Sequence, residues 1–197
     1  MKVIGLCGGS GSGKGTVSGL LLEYGIPSID TDRVYREMTE SDSPCMAALV
    51  DEFGSVIRQN DGGLDRVKLA SVVFCNPERL KTLNHITHRF ILDETRRRLA
   101  EYHAQGYDCA FVDAPALFES GFDKECDAVV CVIADTDVRV ERIIKRDGIS
   151  RDAALKRIGS QISNEELIRR SDYVIYNNGD LSDLRVRVSE LKQKLEN

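Results

Sequence analysis

Five short, mainly apolar runs punctuate the chain, at 3–7, 26–29, 109–112, 128–133 and 173–176, and apart from Ser28 in the second their side chains follow one another without polar alternation. A strand with one wet face alternates; a strand covered on both faces does not. The pattern therefore predicts five strands of a parallel sheet with helices on either side. Residues 17–24 follow the first run as an amphipathic helix. Ser43-Pro44 and Asn76-Pro77 each offer an N-cap with proline at the first helical position, and Ser163-x-x-Glu166 is a capping box. From about 40 to 105 no convincing strand separates the helical pieces, and the turn signal Asn60-Asp61-Gly62-Gly63 breaks them, so this stretch reads as a helical insertion on the sheet. Residues 137–171 read as helical again and are rich in arginine.

Composition narrows this picture without changing it. At 197 residues the chain suits one core with appendages. With 42% hydrophobic and 30% charged residues, neither disorder nor a membrane class is favoured. No apolar run approaches the roughly 20 residues that span a bilayer, and Met1-Lys2-Val3 leads straight into the first strand without a signal-peptide core. A cytoplasmic protein with no membrane partner is expected. The net charge of −5 argues against broad nucleic-acid binding and leaves room only for local basic patches. The six cysteines, Cys7, Cys45, Cys75, Cys109, Cys126 and Cys131, form no C-x-x-C pair. They read as packing thiols of a reducing compartment.

The candidate chemistry begins between the first strand and the first helix. Gly8-Gly9-Ser10-Gly11-Ser12-Gly13-Lys14-Gly15-Thr16 reads as a phosphate cradle. Glycines let the backbone turn its N–H groups inward, the next helix presents its positive end, and Lys14 adds a mobile charge. The usual pattern has a hydroxyl directly after the lysine to ligate Mg²⁺; here Gly15 stands in that place and the hydroxyl comes one residue late, at Thr16. The second strand ends in Ile29-Asp30-Thr31-Asp32, where ligands of an open α/β sheet bind. Asp32 is placed either to accept the proton of a hydroxyl nucleophile or to cap the following helix. Asp113, at the end of the third strand, is the candidate Mg²⁺ carboxylate, or else an ordinary turn acid before Ala114-Pro115. Arg139, Arg142 and Arg146 recur at i, i+3, i+7, which puts a cationic stripe on one helix face. Together with Arg157 that stripe fits a lid closing over a triphosphate better than a solvated face.

Taken in order, the loop, Ile29-Asp30-Thr31-Asp32, Gly63-Leu64-Asp65-Arg66 with Leu69, His88, Asp113-Ala114-Pro115-Ala116-Leu117-Phe118-Glu119, Arg142 with Arg146-Asp147, Gln161, and Ser171-Asp172 leading to Asn177-Asn178-Gly179 resemble the dephospho-CoA kinase family. The resemblance covers nearly the whole chain. It implies a three-layer α/β P-loop NTPase fold with a five-stranded parallel sheet, a helical acceptor-binding insertion and a helical lid. It also implies phosphorylation of the ribose 3′-hydroxyl of dephospho-CoA by ATP with Mg²⁺. The implied division is a nucleotide core of 1–39 with 105–135 and 172–197, a CoA-binding insertion of 40–104 and a lid of 136–171, in a monomer or small homo-oligomer.

Carried over by position, Asp32, Lys14, Arg142 and Arg146 would be catalytic. Gly9, Ser10, Gly11, Ser12, Gly13, Lys14, Gly15 and Thr16, with Arg142, Asn177 and Asn178, would hold ATP. The acceptor would meet Asp32, Leu64, Asp65, Arg66, His88, Pro115 and Leu117, and the metal Thr16 and Asp113. This chain departs from the family at Gly15, at Arg89 where proline is usual, at Ala116 where leucine is usual, and at Arg139 where glutamine is frequent. The Gly-Lys-Gly-Thr loop also keeps a nucleoside monophosphate kinase in view. A nucleotide switch without transfer is the more distant alternative, and the guanine-reading Asn-Lys-x-Asp of a GTPase switch does not occur.

Overall fold

The computed structural model describes residues 1–73 and 76–196. Cys75, counted above among the packing thiols, lies outside the described residues. In chain order the elements are β1 (Lys2–Cys7), α1 (Lys14–Glu23), β2 (Ser28–Asp30), α2 (Thr31–Thr39), α3 (Pro44–Phe53), α4 (Arg66–Val73), α5 (Pro77–Ala104), β3 (Cys109–Asp113), β4 (Ala128–Ile133), α6 (Thr136–Asp147), α7 (Arg151–Gly159), α8 (Asn164–Arg169), β5 (Tyr173–Tyr176) and α9 (Leu181–Glu196), with 3₁₀ turns at Ser55–Ile57 and Phe122–Glu125. No helix among the described residues is long and apolar enough to cross a membrane.

The chain divides into two compact units, Met1–Ile29 with Tyr102–Asn197, and Asp30–Glu101. The first is built on a five-stranded sheet of order β2-β3-β1-β4-β5. β1 lies at its centre and pairs in parallel with β3 on one side and β4 on the other, and β5 pairs in parallel with β4. The connections run to one side of β1 as far as β3 and to the other side afterwards, so the end of β1 is the point where the order reverses and ligands bind in such sheets. Ile4, Leu6, Phe111, Val130 and Val132 are at most 1% exposed and pack with Val17, Leu21, Leu184 and Val188 of α1 and α9. The expected third strand gains Asp113, and the expected run 26–29 becomes a strand only at Ser28–Asp30. Pro27 lacks an N–H, and its carbonyl instead accepts from Phe111 N at 2.9 Å. A smaller cluster, Val140, Ile143 and Ala154, holds α6 against α7.

The second unit is helical, as its sequence predicts, with one isolated antiparallel bridge between Arg58 and Leu64. Cys45, Met46, Leu49, Ile57, Leu64, Leu69 and Val73 form its core. Both proline-flanked caps are made: Ser43 Oγ accepts from Met46 N at 3.0 Å, and Asn76 Oδ1 from Glu78 N at 3.0 Å. Arg98 of α5 donates to Glu94 at 2.7 Å and to Glu37 of α2 at 2.5 Å, tying the two helices by charge.

Candidate active site

The loop after β1 is shaped by contacts that leave no room for a side chain at Gly8, Gly9, Gly11 or Gly13. Gly13, the residue before α1, takes φ 93° and ψ 19°, the left-handed region. A Cβ there would lie 2.1 Å from Asn177 Nδ2, which donates to Ser12 O at 2.8 Å. A Cβ on Gly11, also left-handed at φ 78°, would lie 2.6 Å from the backbone oxygen of Arg139. Inside the loop Ser12 N donates to Gly9 O at 3.0 Å, while Thr16 N and Val17 N both turn to Gly13 O. The N–H groups of Lys14 and Gly15 open α1, where no carbonyl one turn back belongs to the helix, so the cradle ends on the positive end of a helix dipole. Ser12 Oγ is buried and has no hydrogen-bond partner among the described residues.

Register sets the next contact. Leu6 of β1 pairs with Asp113 of β3, so the strand-end carboxylate lies beside the start of the loop. Lys14 is ion-paired to Asp113 Oδ1, and Ser18 Oγ donates to Asp113 Oδ2 at 3.1 Å. Ser18 was not among the sequence candidates. One helical turn beyond Lys14, a lone serine carries no signal without the strand it faces. Asp113, 4% exposed, suits a hard cation that takes oxygen ligands. Gly15 has nothing within 4 Å of a would-be Cβ, so that side of the helix is open. Thr16 lines a separate cleft of about 210 Å³ with Gly13, Arg142, Asn177, Asp180 and Leu181, and Asp113 is not part of that wall.

The arginine stripe splits. Arg142 Nη1 donates to Asn177 O at 2.9 Å and to Gly11 O and Ser12 O at 3.4 Å. Arg146 Nη2 reaches Ser10 Oγ at 3.3 Å, while Arg146 and Arg157 both bond Asp147. Those two guanidinium groups hold the Asp147 carboxyl well below the usual carboxylate range. Arg139 departs from the expectation that all three face one anionic partner. It is 3% exposed and packs against the loop, with Nε donating to Ser10 O at 2.9 Å. Gln161 Oε1 joins the same corner, accepting from Arg139 Nη2 at 2.8 Å and Ser10 N at 3.0 Å. Asn164 completes it and was not anticipated. Cys7, in register with Cys131 and 3.9 Å from Ser171 Oγ, has its thiol pushed up to about 12 by burial, so it packs as a neutral group behind the loop.

In the helical unit the cap of α2 is Asp30, whose Oδ1 accepts from Asp32 N at 2.9 Å and Arg33 N at 3.1 Å. Capping by Asp32 is thereby corrected: Asp32 sits in the first turn with its side chain exposed, two residues past β2. Asp65 Oδ1 accepts from Lys68 N at 3.0 Å at the start of α4. Arg66 stacks 5.2 Å from the Tyr35 ring centroid and donates to Thr39 Oγ1 at 3.2 Å. His88 is half-buried on α5. Leu64 and Leu117, grouped above with acceptor residues, are core side chains at 5% and 0% exposure. Leu117 packs on Gly5, and Pro115 is exposed before it. Asn178 Oδ1 accepts from Asp135 N at 2.8 Å, joining the β5 end to the β4 end.

A glycine loop on the central strand, with a lysine inside it and two arginines bonded to its rim, makes chemical sense as a device for neutralising a polyphosphate. With the parallel sheet order, that places the chain among the P-loop kinases. A model of the dephospho-CoA kinase family matches residues 2–183. The dephospho-CoA kinase of Corynebacterium glutamicum is 41% identical over 191 residues, 97% of this chain and 96% of its own. A crystal structure from Thermus thermophilus superposes with a TM-score of 0.82 at 33% identity, covering 98% of this chain and 97% of that one. The dephospho-CoA kinase of Campylobacter jejuni gives a TM-score of 0.73 at 25% identity over 99% of this chain and 98% of its own. The chain belongs to the dephospho-CoA kinase family.

Proposed function

We propose that this protein transfers the γ-phosphoryl group of ATP to the ribose 3′-hydroxyl of dephospho-CoA, giving CoA and ADP. The observation that carries the reading is the extent of the family match, residues 2–183, which includes the helical unit as well as the loop. A P-loop kinase for another acceptor would share the loop and the sheet but need not share Leu64-Asp65-Arg66 and His88.

In this reading the loop amides from Gly9 to Thr16 and the Lys14 ammonium hold the outer phosphates, and adenine lies toward the cleft lined by Asn177 and Leu181. Asn178 supports that wall from the neighbouring strand end. Asp113 would hold Mg²⁺, through water or directly, once Lys14 turns to phosphate; Thr16, on the other wall, is the weaker of the two ligands. Bound there, the ion would neutralise phosphate oxygens. Asp32 orients the 3′-hydroxyl and accepts its proton as the oxygen bonds to the γ-phosphorus and the bond to the ADP oxygen breaks. Arg142 and Arg146 neutralise the charge that gathers on the transferring group. Asp65, Arg66 and His88 would meet the acceptor, with Leu64, Leu117 and Pro115 setting the shape around them. The functional parts are then 1–39 with 105–135 and 172–197 for nucleotide, 40–104 for acceptor and 136–171 as lid, in a cytoplasmic monomer or small homo-oligomer.

A coupled assay of ADP release with ATP and Mg²⁺, run with dephospho-CoA, AMP or CMP as acceptor, tests the reading. Turnover with dephospho-CoA, accompanied by CoA formation, is expected. Turnover with AMP or CMP alone would reassign the protein to the nucleoside monophosphate kinases, and acceptor-independent hydrolysis would make it a switch.

A further inference from the structure

Arg139 carries a charge for which the surrounding protein has no evident use. It is 3% exposed, and its acceptors, Ser10 O at 2.9 Å, Gln161 Oε1 at 2.8 Å and Asn164 Oδ1 at 3.3 Å, are all neutral. The described residues provide no ion pair for it. A guanidinium does not escape burial by losing its proton, so the charge stays and its desolvation is not offset by a carboxylate. Burial does push its pKa down from the ordinary arginine value. Three neutral acceptors could equally be met by an uncharged donor, so hydrogen bonding alone does not call for arginine.

Its placement supplies the reason. A Cβ on Gly9 would fall 2.2 Å from Arg139 Nη2 and 2.7 Å from Cζ, so the guanidinium lies directly against the loop backbone. It is bonded to Ser10 O, and the same loop runs on into the amides that open α1 at Lys14. We infer that Arg139 is an electrostatic positioning residue of the phosphate cradle, whose missing counter-charge is the polyphosphate itself. It acts through the peptide dipoles of Gly9 to Gly11 and touches no phosphate. The inference rests on the reading of the loop as a polyphosphate site and deepens it. Before binding, the charge is an unpaired burden on the fold; on binding, the burden becomes attraction.

The test uses inorganic tripolyphosphate, which needs no acceptor and no adenine contact, followed by calorimetry at several NaCl concentrations. The apo melting temperature is read in parallel. Arg139→Gln is expected to melt no lower than the wild type when apo, to bind tripolyphosphate about tenfold or more weakly, and to show a shallower salt dependence by loss of one charge. Arg139→Lys, which keeps the charge and loses the fork, should recover most of the affinity. Equal weakening in both variants with lower apo melting would overturn the inference in favour of a shape role, and unchanged affinity in Arg139→Gln would overturn it outright. If Arg139→Gln fails to fold, Asn164→Asp asks the same question, because it offers a carboxylate close to Nη1. Because the same change gives up the bond from Asn164 Nδ2 to Ala134 O at 3.1 Å, the readout is binding: tripolyphosphate affinity should fall with a shallower salt dependence, and unchanged affinity refutes the inference. Failure of the wild type to bind tripolyphosphate would instead refute the reading of the loop.

Discussion

Two glycines of one loop, two residues apart, are expected to respond in opposite directions to the same substitution. Gly13→Ala puts a side chain at φ 93°, which costs about 1–2 kcal/mol for an L residue. The new Cβ would stand 2.1 Å from Asn177 Nδ2, so Asn177, itself 6% exposed, must give up its bond to Ser12 O. Leaving that buried amide unmatched adds about 1–3 kcal/mol. The sum, about 2–5 kcal/mol, lowers the melting temperature by about 4–20 °C at the roughly 2–4 °C per kcal/mol of a chain this size. Gly15 is helical and has nothing within 4 Å of its would-be Cβ. Gly15→Ala should stabilise by about 1 kcal/mol through helix propensity and raise melting by a few degrees. Thermal denaturation of the apo proteins, with ATP titration by calorimetry, reads both. ATP binding should be lost in Gly13→Ala and kept in Gly15→Ala. Equal melting temperatures in the two variants would refute the account of the loop, because strain and collision with Asn177 at Gly13, and helix propensity at Gly15, are the grounds for separating them.

Lys14→Ala should cut turnover by about 10²-fold or more, the scale for losing a preorganised charge on a transferring group. Retention of wild-type turnover would assign Lys14 to holding Asp113 alone. Asp32→Asn should leave ATP affinity within about twofold while lowering kcat strongly, and because Asp30 is the helix cap, melting should barely move. A fall in stability with unchanged kcat would contradict both assignments. Arg97, and then Arg98, hold the Glu94 carboxyl down at about 2 from 4.5. A lowered carboxylate contributes stability that is full above its unfolded value and fades as pH falls through its folded one. Glu94→Gln should therefore destabilise by about 1 kcal/mol near neutrality, and the gap in melting temperature should close between pH 4.5 and about pH 2. A gap that persists at pH 2 would mean that packing, not charge, is lost.

Particular residues show why some of this was legible and some was not. β1, β3 and β4 are visible as near-continuous apolar runs because both faces of the sheet are covered there, whereas β2, Ser28-Ile29-Asp30, has one buried residue and shows itself less clearly. The caps at Ser43 and Asn76 are equally local. Asp30 and Asp32 were harder, since either can accept from the first turn, and the bend after β2 decides between them. Ser18 and Asn164 carry no local signature: each matters through a partner far away in the chain, Asp113 for the one and Arg139 for the other. The i, i+3, i+7 spacing of Arg139, Arg142 and Arg146 correctly puts them on one face of α6. It is silent on how that face is laid against the loop.

The sequence by itself determined the class of fold, the position of the phosphate cradle and the family, because glycine spacing, apolar runs and ordered motifs are properties of residue type and order. Tertiary structure alone decided that Asp113 is shared by Lys14 and Ser18, that Leu64 and Leu117 are core, and that one arginine of three is buried against the loop with no carboxylate partner among the described residues. Burial and ion pairing depend on which surfaces meet, and those are settled only when β1, β3 and α6 converge on nine residues of loop.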